Sequence, residues 1–555
     1  AYIGPCIRCS NLRYGKFYEQ TTCPESRLAM RRRLIVADAI QTALGSPGNA
    51  VLVQDGAIGA IGNVDDLRAP GLTEDHFPGG VITPGLVDAH FHPMGYTAAL
   101  LRLTLDQAAS IGELEELVAE AASRLEPGRA LVGTRFNDQA LGRMPLRTDL
   151  DRAAGDRPVL IYRYCGHVAV ANTFALDLAG IDQRRSDPGG GTIDRDDSGI
   201  PTGVLRETAI ALAAGPVGGR AGDLTPDEVM TAMNGLVSLG LTSMGAIIDL
   251  GGDLWCGVGN ELDLLTEIGP DLPLRMSVLV IADNPSALET AADRLGAAGP
   301  WVNFLGVKQF ADGSFGGHTA AMNEPYADSD SLGTLRLDSN TGRMARAALD
   351  LGARVAVHAI GDRANARVLD LFEELIDGGA DPGDLRIEHV SVISDQDLAR
   401  MSALGITAVV QPAFLMSEFE WLANRVGKER MPRTYAFRSL LDAGVPVAGS
   451  SDCPVEPPSP WWGMAAARDR AGVTPEQSLS TAEALALFTT GAAAAIGSPN
   501  LEVGRACDLA IVDRPPLDIT ADSLRATRVL ATWVEGEPIA AQSDPVVWRA
   551  SMPAS

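Results

Sequence analysis

Eight short apolar runs rich in β-branched residues recur along the chain, and they constrain its fold more than any other feature. They are Val81 to Asp88, Thr242 to Asp249, Leu274 to Ile281, Asn303 to Phe310, Arg354 to Ile360, Leu385 to Val390, Thr407 to Gln411 and Val445 to Asp452. Most are separated by stretches with helical periodicity, such as Ala364 to Ile376 and Asp395 to Leu404. Continuous apolar runs suit strands buried on both faces, and strand–helix alternation repeated eight times closes a parallel sheet on itself. The runs therefore predict an α/β fold built on a (β/α)8, TIM-like barrel.

The spacing is regular except once. About 150 residues separate the first run from the second, far more than one crossover helix requires. The gap has elements of its own: a helix over Ile111 to Leu125, strands at Ala130 to Thr134 and Pro158 to Arg163, and a glycine-rich turn at Gly189 to Gly191. It reads as an inserted α+β domain, residues 95–230, leaving the barrel through its first strand-to-helix loop. Such loops emerge on the catalytic face, so the insert is placed to cover the active site. The barrel itself is assigned to residues 81–94 and 231–499. Short β-like runs at both chain ends, LIVADAI and AVLVQDGAIGAIG near the start and DLAIVD and RVLATWVEGEPI near the end, predict a small β-sandwich from residues 30–80 and 500–555. Residues 1–29 share no period with the rest of the chain and are set apart as an extension of unclear role.

Composition removes several functions. Asp and Glu outnumber Lys and Arg 71 to 45, and the net charge of −26 repels phosphate backbones, so nucleic acid is excluded as a partner. No apolar segment is long enough to span a bilayer, and the first thirty residues lack a signal-type apolar core, so a soluble cytoplasmic protein is expected. Seven scattered cysteines, an odd number, do not make a disulfide scaffold, and Cys6, Cys9 and Cys23 lack a fourth metal ligand nearby.

Polar residues gather at the ends of the predicted strands: Asp88-Ala89-His90-Phe91-His92 at the first, Lys308 at the fourth, His358 at the fifth, His389 at the sixth and Asp452 at the eighth. Residues two apart in a strand face the same way, so His90 and His92 can address one point. Each residue alone has an ordinary structural reading. Four of only seven histidines on matching strand ends do not share one easily. Lys308 is one of three lysines in the chain, with Lys16 and Lys428, and it lies inside an apolar strand where burial favours the neutral amine. A neutral amine can take up CO2 to become a carbamate, an anionic oxygen ligand able to bridge two metals.

With these residues in place the sequence resembles the amidohydrolase superfamily, and within it the amidohydrolase-3 branch that includes N-substituted formamide deformylases. The resemblance is carried by PGLVDAHFHP, VKQFADGSFGGHTAAMNEPY, VHAIGDRAN, IEHVS and GSSDCPVEPPSPWWGM, and in the insert by Gly166-His167-Val168-Ala169, Asn172 and PTGVLRE. It runs from about residue 34 to 540. Cys453 stands where many relatives have an aromatic residue, and His318 where many have arginine, so specificity does not transfer from any one of them.

The resemblance implies one or two divalent ions, expected to be zinc, held by His90, His92, His358 and His389, with carboxylated Lys308 as bridge. Asp452 would bind beside the attacking water, take its proton and pass it to the leaving nitrogen. The implied function is hydrolysis of a C–N bond in a small amide, formamide or cyclic amide by a metal-bound hydroxide. Asp312 and His318 either orient substrate or serve a loop packed through Gly313, Gly316 and Gly317; His167 either contacts substrate or hydrogen-bonds locally; Trp461 and Trp462 either line the pocket or pack a helix start. Arg135, Phe136 and Asn137 are further candidates, His76 reads as surface, and a homodimer is the default oligomer. Two alternatives stand beside this reading. A mononuclear deaminase of a heterocycle is disfavoured by HAIGD, which lacks a glutamate after His358, and by Lys308; a catalytically silent barrel is disfavoured by the complete ligand set.

Overall fold

The computed structural model describes residues 32–126, 128–163, 168–188, 191–218, 224–251 and 260–539. The expectations for residues 1–29 and for His167 lie outside them.

Eight strands pair in parallel in one sheet: β1 (Leu86–Phe91), β2 (Leu241–Asp249), β3 (Arg275–Ile281), β4 (Val302–Phe310), β5 (Arg354–Ala359), β6 (Leu385–His389), β7 (Thr407–Val410) and β8 (Val447–Gly449). The sheet closes just beyond β8. Phe91 and Cys453 form a parallel bridge, Asp452 N–H donates to the His90 carbonyl at 2.9 Å, and His92 N–H donates to the Cys453 carbonyl at 2.9 Å. The (β/α)8 expectation is met, with strand ends within a few residues of those read from the sequence except at the first. There the apolar run Val81 to Asp88 covers two elements. Val81 to Pro84 finish the strand Thr73–Pro84 of another sheet, and β1 begins only at Leu86, after Gly85.

Inside the barrel, Val87, Ala89, Ile247, Leu279, Leu305, Ala356, Val409 and Ala448 form an apolar floor with the alanine-rich helix Ala492–Ile496. Burying this surface, at about 25 cal/mol per Å² of apolar area, is what holds the closed sheet together from within. Two irregularities break the strand pattern above the floor. In β1 the pairing steps from Asp88–Met244 to Phe91–Ala246, three residues against two, so a bulge falls at Ala89 and His90 and re-aims the side chains there. Gly245 permits it, because a Cβ at that position would lie 2.2 Å from the Ala89 carbonyl oxygen. In β4 the register shifts at Gly306, where a Cβ would meet the Arg354 carbonyl oxygen at 1.9 Å. Lys308 comes two residues later.

Between β1 and β2 lies a separate six-stranded mixed sheet, in spatial order Gly191–Arg195, Pro201–Glu207, Val168–Ala171, Val159–Arg163, Leu131–Phe136 and Leu103–Thr104. One face packs on the helix Ile111–Arg124, started by the Ser110 side chain accepting Glu113 N–H, and the other on Thr173–Leu178 and Ala211–Gly218. The first and last described segments meet in a seven-stranded sheet, where Thr73–Pro84 pairs antiparallel with Leu509–Val512 and parallel with Arg32–Ile40. An Arg275–Asp508 ion pair at 2.8 Å and a hydrogen bond from Thr532 Oγ1 to the Val237 carbonyl tie this sheet to the barrel. Among the described residues no helix is long and apolar enough to cross a membrane.

Candidate metal centre

His90, His92 and Asp452 come together at the seam where β1 meets the end of β8, and all three are buried. One ligand atom from each lies within 4.8 Å of the others. Asp452 Oδ1 is 3.1 Å from His90 Nε2 and 3.1 Å from His92 Nε2. The backbone is strained to bring this about, since Asp452 has φ 57°, in the left-handed region that non-glycine residues seldom occupy. Behind it the Asp88 carboxylate accepts N–H bonds from His90 and Ser451 and fixes both strands across the seam. Burial pushes the Asp88 carboxyl up to about 6.

The ring of His90 is held at both nitrogens by carboxylates. Its Nδ1–H donates to Glu388 Oε2 at 2.5 Å, while Nε2 faces Asp452. A neutral imidazole has one N–H and one lone pair, and a carboxylate only accepts. His90 therefore requires either a second proton or a cation between Nε2 and Asp452. Burial opposes a charge on the ring, yet the Asp452 and Glu388 carboxylates raise its pKa above the ordinary histidine value. Burial likewise opposes the charge of Asp452, and His90 and His92 nevertheless hold its carboxyl well below the usual range. Two imidazole nitrogens and an ionised carboxylate converging in a buried site fit a divalent ion.

The remaining expected ligands lie close by but do not join that group. The His389 ring centre is 5.1 Å from that of His90 and 4.4 Å from that of His358. His389 also has positive φ, 78°, which turns the chain at the end of β6. Its Nδ1–H donates to Gln411 Oε1 at 2.7 Å, leaving Nε2 as the free lone pair, and burial together with the neighbouring His358 keeps its pKa well below the histidine norm. His358 Nε2 donates to the Gly313 carbonyl at 2.9 Å. Lys308, 1% exposed, has Nζ 4.2 Å from the centre of the Phe310 ring, and burial lowers its pKa to about 8.

The proposed substrate residues have mixed placements. Asp312 is 1% exposed and accepts N–H bonds from Ala321, Ile360 and Gly361, which ties the β4 loop to the end of β5. His318 lies on the same loop, where its Nε2 pairs with Asp328 at 3.0 Å. Trp461 is buried near the start of the helix Pro460–Asp469, and its indole N–H has no hydrogen-bond partner.

Sequence reasoning passed over four residues that the geometry puts behind the histidines. Arg386 and Glu388, two apart on β6, face the barrel interior and pair at 2.5 Å. Gln411 and Ser450 form the chain behind His389, Gln411 Nε2 donating to Ser450 Oγ at 2.9 Å. The signal was present in LRIEHV, where two charged residues alternate inside an otherwise apolar strand. Phe310 and Phe414 flank the site, Phe310 against His358 at 5.5 Å and Phe414 stacked on His389 at 6.0 Å.

Over most of its length the chain is similar to known proteins. Residues 78–540 match the profile of the amidohydrolase family. YtcJ of Bacillus subtilis (strain 168), which carries an amidohydrolase name, is 31% identical over 517 residues, 89% of this chain and 96% of that protein. The N-substituted formamide deformylase of Arthrobacter pascens is 27% identical, covering 91% of this chain and 98% of its own. A crystal structure of an uncharacterized metal-dependent hydrolase from Pyrococcus furiosus superposes with a TM-score of 0.70 at 29% identity, over 88% of this chain and 100% of that one.

Proposed function

The chain belongs to the amidohydrolase family and is a metal-dependent hydrolase, and from that premise we propose that it cleaves a C–N bond in a small amide, formamide or cyclic amide. The observation that carries the reading is the buried His90, His92 and Asp452 group at the rim where barrel enzymes place their chemistry. The likeness to a formamide deformylase supports the choice of bond.

His90, His92 and Asp452 would hold the ion, with His358, His389 and carboxylated Lys308 completing a centre for one or two ions. Zinc is proposed because imidazole and carboxylate are among its ordinary ligands. A divalent ion there supplies Lewis acidity and lowers the pKa of a neighbouring water. The chain's own groups do the rest. Asp452 is ionised at neutral pH, because His90 and His92 outweigh the effect of burial on its carboxyl, so its carboxylate can take the proton of an attacking water. As the C–N bond breaks, the same carboxyl returns that proton to the departing nitrogen, giving an amine and a carboxylate. Lys308, drawn down to about 8, has a neutral fraction at neutral pH large enough to react with CO2. Phe310 and Phe414 offer apolar faces that keep bulk water from the scissile bond. Residues 95–230 leave the barrel after β1, on its catalytic face, and are proposed to wall the mouth of the site.

The test is a screen of N-formyl, N-acyl and cyclic amide compounds against protein reconstituted with zinc, read as amine release. Turnover of at least one class that disappears in Asp452→Asn is expected. Release of ammonia from a heterocycle with every amide left intact would replace this reading with deamination.

A further inference from the structure

His90 and His389 are neighbours with unlike support. Behind His90 stands a carboxylate, and behind His389 a neutral amide. Glu388 is 0% exposed, and both of its oxygens are used, Oε2 by His90 Nδ1–H at 2.5 Å and Oε1 by Arg386 Nε at 2.5 Å. Arg386, also buried, donates from its two terminal nitrogens to the Ala89 carbonyl at 2.8 Å and the Ala495 carbonyl at 3.2 Å. One guanidinium thus grips the peptide preceding His90 and, through Glu388, the ring of His90 itself. On the other side Gln411 accepts from His389, donates to Ser450 Oγ, and Ser450 donates to the Val410 carbonyl at 3.1 Å. That chain orients a ring without bringing charge to it.

Burying an arginine and a glutamate inside a barrel is a poor way to gain stability, since apolar side chains of similar size fill such space at no desolvation cost. The floor directly below is filled in that way. The pair is better explained by what it touches. A carboxylate on Nδ1–H fixes the tautomer that leaves Nε2 as the ligand atom and makes that nitrogen a stronger donor, whereas a neutral amide only fixes the tautomer.

We infer that Glu388, clamped by Arg386, is a positioning residue that makes His90, His92 and Asp452 the tightest ion position of the centre, while Gln411 leaves the His389 side the weaker. This rests on the proposed function, in which these residues hold a divalent ion.

The experiment compares wild type, Glu388→Gln and Gln411→Leu, each stripped of metal and titrated with zinc against a competing chelator. Thermal unfolding of the metal-free forms reads any folding defect separately. In Glu388→Gln the affinity for the tightest-bound ion is expected to fall about 10- to 100-fold, on top of a lower metal-free melting temperature, because Arg386 loses its buried counter-ion; in Gln411→Leu that affinity is expected to be unchanged. If Glu388→Gln does not fold, Arg386→Gln takes its place, and weakened binding of the tightest ion is again expected. A wild-type affinity in the Glu388 or Arg386 variant, or a loss no greater than in Gln411→Leu, overturns the inference and leaves the proposed hydrolase standing. Absence of zinc binding by wild type overturns both.

Discussion

The two sides of the site are built in opposite ways. At the seam of β1 and β8, the atoms of His90, His92 and Asp452 that would bind an ion already converge on one another. Across the barrel mouth, His358 donates its Nε2–H to the Gly313 carbonyl and the Lys308 amine rests on the face of Phe310. The seam is held by several independent constraints: the bulge in β1, the closing hydrogen bonds on both sides of Cys453, and the Asp88 carboxylate bridging the strands. On the other side the ends of β4 and β5 hold one another, Asp312 accepting amides at the end of β5 and His358 donating to the β4 loop, so their polar groups already have protein partners. A set of ligands pre-arranged by backbone closure costs little to organise on binding, whereas the β4 and β5 side would have to exchange existing contacts to hold an ion.

That contrast can be broken experimentally, and the largest expected effect falls on the seam. Asp452→Asn should lower kcat/KM by about 10³-fold or more while the protein still binds zinc, because it removes the proton carrier and keeps an oxygen donor. An activity near wild type would dismiss Asp452 as the base. Next, Lys308→Met is expected to cost about 10²-fold, the order of an outer metal contact or bridge. In wild type, labelled bicarbonate should give a carbamate carbon signal by NMR that this variant lacks; no such signal in wild type would remove the carbamate. The contrast predicts a smaller penalty at the far ligand, so the metal content of His358→Gln should fall less than that of His92→Gln when both are measured by elemental analysis. Equal losses would show the two sides to be one unit.

The smallest effect concerns stability beside the seam. Burial pushes the Glu456 carboxyl up to about 8, and the folded protein therefore keeps its proton to higher pH than the unfolded chain does. A raised folded-state pKa means stability that is present below the unfolded value near 4.5 and is lost as pH rises through about 8. Glu456→Gln should therefore match wild type at pH 5 and melt higher at pH 9, by a shift on the order of a few degrees. Parallel melting curves at both pH values would contradict the burial argument.

The barrel was legible because strands buried on both faces leave uninterrupted apolar runs, and their polar ends marked His90, His92, Lys308, His358, His389 and Asp452. The features that stayed hidden depend on geometry that no local stretch encodes. The run Val81 to Asp88 looks like one strand because both halves are equally apolar, yet Gly85 divides it between two sheets. Asp312 drew attention as an acid on an active-site loop, and only the fold shows its oxygens occupied by the amides of Ala321, Ile360 and Gly361, with His358 Nε2 3.3 Å from Oδ1. Arg386 and Glu388 were passed over because a charged pair inside a strand has meaning only once the barrel closes and brings His90, nearly three hundred positions earlier, against Glu388.

The helix Ala492–Ile496 under the barrel has a consequence in time as well as in space. Its carbonyls at Ala494 and Ala495 receive Arg354, and Ala495 also receives Arg386, so the support of His90 is anchored from below by a segment close to the end of the chain. His90 leaves the ribosome well before its carboxylate partner Glu388, Asp452 follows later, and the anchoring helix comes last of the four. We expect the nascent protein to carry His90 and His92 unfinished through most of translation, and a chain arrested before residue 496 to fail to retain zinc however much of the barrel it contains. Chains released at successive lengths and assayed for retained zinc would date the moment at which the centre forms.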